Sequence, residues 1–396
     1  RSSLRTAMQR RYVLDLFYTP VYHPPMSKPS PTSARMAHGQ LTVLPQQTRG
    51  RGAPVNMSGR FETLSRSLFD DGWQGLEDLP AFRTEVFEEK AKTIITRNDS
   101  PDISFDRSIN PYRGCEHGCA YCYARPAHAY MGLSPGIDFE SKLFAKPNAP
   151  ELLRSELESA SYEPRTLALG ANTDCYQPVE RRLGITRRIL EVLAEFNHPA
   201  GILTKSALVT RDIDILTPMA RKELVKVAVS VTTLDPGLAR AMEPRAATPA
   251  RRLEAIAQLA AAGIPVTVMV APIIPAVNDA EIESILKAAH AAGAREAGYV
   301  MLRLPHEVKD VFGTWLHHAL PERAAKVMSL VRSGHGGKDY NSTFGRRQTG
   351  SGPYAWTIGR RFELASQRLG LNAARTRLST AHFQPPPRSG QQLTLL

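Results

Sequence analysis

Three of the four cysteines in the 396-residue chain, Cys115, Cys119 and Cys122, lie together in RGCEHGCAYCYAR (113–125), while Cys175 lies more than fifty residues on. Thiolates are soft metal ligands. Three of them on one short loop can hold three irons of a cubane iron–sulfur cluster and leave the fourth iron without a protein ligand. A structural zinc ion wants a fourth Cys or His. His117 inside the motif and His128 just after it keep a Cys3His zinc site open. The 3+1 distribution is a poor disulfide framework and points to a metal and to a reducing, cytoplasmic setting. With one spare cysteine, a second cluster bound wholly by cysteine is excluded.

A strand–helix rhythm surrounds this loop. RTLALGAN (165–172), AGILTKS (200–206), VKVAVSVTT (225–233), IPVTVMVAPII (264–274) and AGYVMLRL (297–304) read as strands, and a further strand is expected around 103–109, ahead of the cysteines. Between them, amphipathic helices are expected over 180–196, near 211–221, over 248–263 with Thr248 as N-cap and Pro249 at its first position, and over 279–292. Alternating β and α elements with apolar strands predict an α/β fold whose parallel sheet is covered by helices. Six βα units suit a partial barrel or an open doubly wound sheet, with the site at the C-terminal strand ends. The cysteine loop, "NTD" (172–174) and "TKS" (204–206) all fall there.

Length and charge set the frame. No apolar run approaches the roughly 20 residues that span a bilayer, so no membrane partner is expected. Of the net charge of +12, residues 1–60 carry +8 and residues 331–396 another +8, which leaves a mildly acidic middle. Such a body is not a general nucleic-acid binder. Residues 1–60, rich in Pro, Ser, Thr and Gln, read as a disordered basic tail. The chain opens on Arg1, with Met26 and Met36 as alternative starts. Its Arg-rich, acid-poor opening resembles a transit peptide that lacks the amphipathic helix. Residues 61–100 read as an N-terminal extension, 101–305 as the α/β body and 306–396 as a basic C-terminal extension. In the last, SGHGGKDYNSTFGRRQTGSGPYAW (333–356) mixes Tyr340, Phe344, Tyr354 and Trp356 with Lys338, Arg346 and Arg347. Stacking plus phosphate pairing suits a nucleic-acid contact. A lid over the barrel mouth is the other reading of so long a Gly-rich loop.

The CEHGCAYC stretch, with Tyr121 at an aromatic position, resembles the CxxxCxΦC signature of the radical S-adenosylmethionine (SAM) superfamily. NPYRGCEHGCAYCYARP is similar to its spore photoproduct lyase-like branch. The resemblance implies a partial (βα)6 TIM-like barrel and a [4Fe-4S] cluster on Cys115, Cys119 and Cys122. It implies chelation of the open iron by S-adenosylmethionine, and a one-electron donor such as flavodoxin or ferredoxin. Reductive cleavage would give a 5′-deoxyadenosyl radical. Carried onto this chain, it implies cofactor contacts from Tyr121, Asn172, Thr173, Asp174, Lys205, Ser206, Ser230 and Thr232, with Arg245 (Glu243 nearby) as a carboxylate-binding fork. Tyr123 looks similar to a tyrosine of the radical relay. The position matching the branch's hydrogen-donor cysteine is Ala171, with Cys175 four residues on as the alternative donor, and this departure puts thymine-dimer repair in doubt. The rivals are a non-catalytic iron–sulfur or zinc protein that transfers electrons, and a nucleic-acid-binding protein that uses the cluster as scaffold.

Overall fold

In the computed structural model, the structure describes residue 43, residues 47–62 and residues 81–386. Ten strands are described: β1 (Glu85–Glu88), β2 (Ile95–Arg97), β3 (Arg107–Ile109), β4 (Tyr112–Arg113), β5 (Lys142–Ala145), β6 (Leu167–Leu169), β7 (Ala200–Thr204), β8 (Val225–Ser230), β9 (Val266–Ile273) and β10 (Glu296–Met301). Seven form one sheet in the order β10-β9-β8-β7-β6-β3-β2. From β3 to β10 all neighbours are parallel, and β2 is antiparallel to β3 at the edge. The six expected parallel strands are therefore present, and the sheet does not close. This is the mixed α/β architecture of a partial barrel.

β-branched residues on β7, β8 and β9 favour the pleated, half-buried surface. Residues facing the helices are fully buried, including Val225, Val227, Val229, Val266, Val268 and Val270, while the alternate residues face a less crowded interior. The helices pack their apolar stripes outside, as Ile189, Leu190 and Leu193 do from Ile185–Glu195. Thr248 caps the helix Pro249–Ala261, its hydroxyl accepting from the Arg251 amide at 3.4 Å.

Several expectations are corrected. The helix expected over 180–196 is two, Glu180–Leu183 and Ile185–Glu195, because Gly184 takes a left-handed φ of 62° between them. The helix expected over 279–292 begins with a single 3-10 turn, Asp279–Glu281, before Ile282–Ala291. Residues 47–60, within the expected basic tail, pack against the body: Ala53, Val55 and Met57 are buried with Ile137 and Val311. The remainder of the stretch 1–46, apart from residue 43, lies outside the described residues. A small sheet, β1-β5-β4, was not anticipated. Of three helices in the C-terminal extension, Val308–Ala319 and Ala324–Gly334 pack in one cluster with Ala120, Tyr121 and Met242 beside the cysteine loop, and Gly352–Arg368 packs on the main core through Ile358 and Phe362. Among the described residues no helix is long and apolar enough to cross a membrane.

The open seam between the sheet edges is bridged by the C-terminal segment. The Met301 amide donates to the Gln348 carbonyl at 2.7 Å, and Gln348 Nε2 donates to the Asp102 carbonyl at 2.9 Å. Arg347 grips the Asp102 carboxylate with two nitrogens, Nε at 2.7 Å from Oδ2. The end of β10 is thereby tied to the chain entering β3.

Candidate active site

The loop carrying the three cysteines follows β4 and is fixed from behind. Arg125, fully buried, has five N–H donors, and the structure gives all five an acceptor. Nε and Nη2 donate to the Cys119 carbonyl at 3.1 and 2.8 Å, and Nη1 donates to the carbonyls of Pro135 and Gly136 at 3.1 and 2.8 Å. Nη2 also pairs with the buried Glu140 carboxylate. Glu140 accepts in turn from the amides of Gly52 and Ala53 at 2.9 and 2.8 Å. At Gly52 a Cβ would stand 1.6 Å from the Gly118 carbonyl oxygen, so only glycine lets residues 51–53 lie against the loop.

Further clamps hold the sides. Gln177 accepts from the Glu116 amide at 2.9 Å and donates to the Gly114 carbonyl at 3.1 Å. The Ala120 amide donates to the Met242 carbonyl at 3.0 Å. Behind Met242 stands a buried network in which Glu243 accepts from the Tyr121 hydroxyl, from Thr232 Oγ1 at 2.8 Å and from Arg252 Nη2. Arg252 also donates to the Ser230 carbonyl at 3.0 Å.

What this frame presents is a cavity of about 480 Å³ at the C-terminal strand ends, lined on one side by Cys115, Cys119 and Cys122. All three are free thiols, two of them buried. Burial raises each thiol pKa; neighbouring acids and thiols add to this at Cys115, while at Cys122 Arg125 and the Ala124 amide partly offset it. Thiolates here therefore need a positive centre beside them, which is what a bound metal group supplies. The donor set fits a cluster held by three cysteines.

It does not fit the zinc alternative. His117 Nδ1 lies 3.3 Å from Asp174 Oδ2, and His128 Nε2 donates to the Lys142 carbonyl at 2.9 Å between Phe139 and Phe144. Among the described residues no three His, Cys, Asp or Glu side chains converge as they would on a single ion.

Other candidates divide by whether their polar atoms are already used. Asp174 lines the cavity but is saturated. It accepts from Thr204 Oγ1 (2.8 Å), the Tyr176 amide (2.9 Å) and the Lys205 amide (2.7 Å), besides facing His117. Burial alone would raise its carboxyl, but His117 and these donors outweigh it and hold the pKa at about 2. Asp174 thus ties the ends of β6 and β7 to the cysteine loop. Thr173 donates to the Tyr112 carbonyl at 2.7 Å, Ser206 accepts from the Leu208 amide at 3.2 Å, and Thr232 is buried on Glu243.

Lys205, Asn172 and Ser230 line the cavity with side chains that make no hydrogen bond to any described residue. Lys205 Nζ stands 5.8 Å from the centre of the Tyr121 ring. Tyr123 also lines the cavity, its hydroxyl donating to the Ala171 carbonyl.

Four candidates, Ser206, Thr232, Arg245 and Cys175, are not brought to the cavity. Arg245 is spent outside it, donating to Glu116 Oε1 at 2.8 Å and to Thr84 at 3.2 Å. Cys175 is fully buried in the main core, where a Cβ on Gly170 would lie 3.5 Å from its sulfur. Gly170 (φ 80°) and not Cys175 forms the wall. Sequence reasoning missed Asp102, Arg303 and Gln348, which also line the cavity. Their only sequence signal was position, at the two ends of the open sheet.

Comparison with known proteins identifies the superfamily and the fold. Residues 109–289 match the family model of the radical SAM superfamily. An uncharacterized protein of Mycobacterium tuberculosis is 38% identical over 234 residues, 59% of this chain and 69% of the relative. One of Methanocaldococcus jannaschii is 28% identical over 199 residues, 50% of this chain and 71% of the relative. Among solved structures, spore photoproduct lyase complexed with dinucleoside spore photoproduct superposes with a TM-score of 0.53, at 14% identity, over 72% of this chain and 80% of that one. At that identity the likeness concerns the fold.

Proposed function

The chain belongs to the radical SAM superfamily, and from that premise we propose that Cys115, Cys119 and Cys122 hold a [4Fe-4S] cluster facing S-adenosylmethionine in the 480 Å³ cavity. The observation that carries the reading is that three thiols of the buried loop and Lys205, whose ammonium pairs with no described residue, line the same cavity. When bound and reduced by a donor of the flavodoxin or ferredoxin kind, the cluster supplies the electron that splits the sulfonium into methionine and a 5′-deoxyadenosyl radical.

The chain's own residues bind and aim. Lys205 offers its charge to the methionyl carboxylate, in place of Arg245, whose fork is occupied by Glu116. Asn172 at the rim and Ser230 on the wall offer unused polar atoms to the amino group and the ribose. The Tyr121 ring, pinned through its hydroxyl to Glu243, gives Lys205 an aromatic face. Asp174 positions Lys205 through its backbone amide and the cysteine loop through His117. Tyr123, beside Cys122 and within the cavity, is the candidate relay between the bound cofactor and a substrate entering from the Arg303 side; Cys175, walled off by Gly170, is not.

The test is anaerobic reconstitution with iron and sulfide, reduction, and addition of S-adenosylmethionine. 5′-Deoxyadenosine and methionine are expected from the wild type and from Cys175→Ala, and none from Cys115→Ala, Cys119→Ala or Cys122→Ala. A protein that takes up zinc instead of iron, or whose reduced cluster leaves S-adenosylmethionine intact, refutes the reading.

A further inference from the structure

In the wall of the same cavity stands Arg303, two residues past β10. Its guanidinium carbon lies 5.0 Å from the centre of the Tyr123 ring and 6.0 Å from that of Tyr340, and Nη2 donates to the Tyr340 hydroxyl at 3.3 Å. The Nε atom is buried and has no hydrogen-bond partner. No carboxylate among the described residues pairs with it. The carboxylate of Asp102, also in the wall, is committed to Arg347 and the Gly345 amide. A planar cation gripped by aromatic rings, desolvated on one edge and lacking a counter-ion, is built to receive an anion.

The segment that spans the mouth extends this character. KDYNSTFGRRQ (338–348) places Lys338 and Arg346 exposed, neither in an ion pair with a described residue, and exposes Phe344 with the Arg347 guanidinium 4.7 Å from its ring centre. A small carboxylate metabolite would satisfy Arg303 and leave Phe344, Lys338 and Arg346 without a role. A chain that alternates anionic groups with flat rings would use them all.

We propose that Arg303 receives a phosphate of a single-stranded nucleic-acid substrate, with residues 338–348 contacting the neighbouring nucleotides, so that one nucleotide is presented to the cavity beside Tyr123. This rests on the cavity's being the active site proposed above. The neighbouring Arg347 is excluded from the phosphate role by its double grip on Asp102.

The test is equilibrium binding by the full-length, cluster-loaded protein, kept anaerobic, of a fluorescein-labelled 12-nucleotide single strand, as DNA and as RNA, at several salt concentrations. Competitors are a nucleoside monophosphate and an acidic peptide. Arg303→Gln should weaken strand binding at least about tenfold, the scale of one charge-assisted hydrogen bond. It should also flatten the log–log salt slope by about 0.7, the value for one phosphate contact on a single strand. Arg303→Lys should restore the slope and part of the affinity, which separates a lost contact from a lost fold. Wild-type affinity in Arg303→Gln, a monophosphate binding as tightly as the 12-mer, or an acidic peptide competing equally would each overturn the proposal. 5′-Deoxyadenosine formed without substrate, measured in the same preparations, reads the cluster assignment independently: its loss with strand binding intact counts against that assignment and not against this one.

Discussion

The two faces of the cysteine loop differ in one respect that decides what each is for. Behind it most polar groups are spent, with Arg51 Nε and His128 Nδ1 as exceptions: Arg125 uses all five donors, Glu140 accepts from two amides and a guanidinium, and Asp174 and Glu243 are each gripped by several partners. In front of it, Lys205, Asn172, Ser230 and Arg303 keep polar atoms without a partner among the described residues. Desolvated polar groups are stable only when paired. A saturated network therefore reads as scaffold, and a row of unsaturated groups around one cavity reads as a receptor. The lesson is that burial alone does not separate ligand-binding residues from positioning ones, and the count of unused hydrogen bonds does.

The sharpest way to break this comparison is to cut the scaffold. Arg125→Met leaves the Glu140 carboxylate buried without its cation, which should cost about 3–5 kcal/mol. It also frees the Cys119 carbonyl that Arg125 holds. Urea unfolding of the cluster-free protein should show the full loss, and iron content after reconstitution should fall with it. Restoring neutrality with Arg125→Met plus Glu140→Gln should recover part of the stability. A single variant as stable as wild type would mean that the rear pair is not what holds the loop.

Cutting the front should look different. Lys205→Met removes a cation that pairs with no described carboxylate. The unfolding midpoint should move by no more than about 0.5 kcal/mol, the range of substitutions outside packed networks. Affinity for S-adenosylmethionine should drop by about 10- to 100-fold, as for a charged hydrogen bond of about 1.5–3 kcal/mol. Calorimetric titration of the reduced-cluster protein measures the second and urea unfolding the first. A variant that unfolds easily yet binds normally would place Lys205 with the scaffold and erase the distinction.

The part of this contrast visible in the sequence was the part written in local patterns. Apolar strands alternating with capped, amphipathic helices made the six parallel strands legible, and the spacing of Cys115, Cys119 and Cys122 made the loop legible. The pairs that hold the loop join residues far apart in the chain, such as Gly52 with Glu140, Tyr121 with Glu243 and Asp174 with His117, and leave no periodic trace. Arg245 and Lys205 are both cations after a strand end; only the nearby Glu116 draws one into an ion pair, while the other pairs with no described carboxylate. The small β1-β5-β4 sheet escaped notice because its strands, such as EVFE and YR, are short and partly exposed.

The smallest expected effect concerns acid, and it too should act on the rear face. His128 is fully buried under the loop against Phe139 and Phe144. Burial, aided by Arg125 and Arg113 and opposed by Asp138 and the bond to the Lys142 carbonyl, lowers its pKa to about 4. The unfolded chain would protonate this ring near 6.5. Between those values the unfolded state binds more protons, so stability is intact above pH 6.5 and is lost as pH falls toward 4. One step from pH 6.5 to 5.5 should cost about 1 kcal/mol for this group. His198, held at about 4 by burial beside Tyr162 and Phe383, adds a loss of the same sign elsewhere in the fold. The decisive quantity is therefore a difference: the stability gap between wild type and His128→Gln should shrink by about 1 kcal/mol across that step in urea unfolding of the cluster-free protein. His198→Gln should show a similar gap while leaving iron uptake unchanged, because its ring is not under the loop. Parallel curves for wild type and His128→Gln would show that charging this ring is not what acid does to the rear of the site.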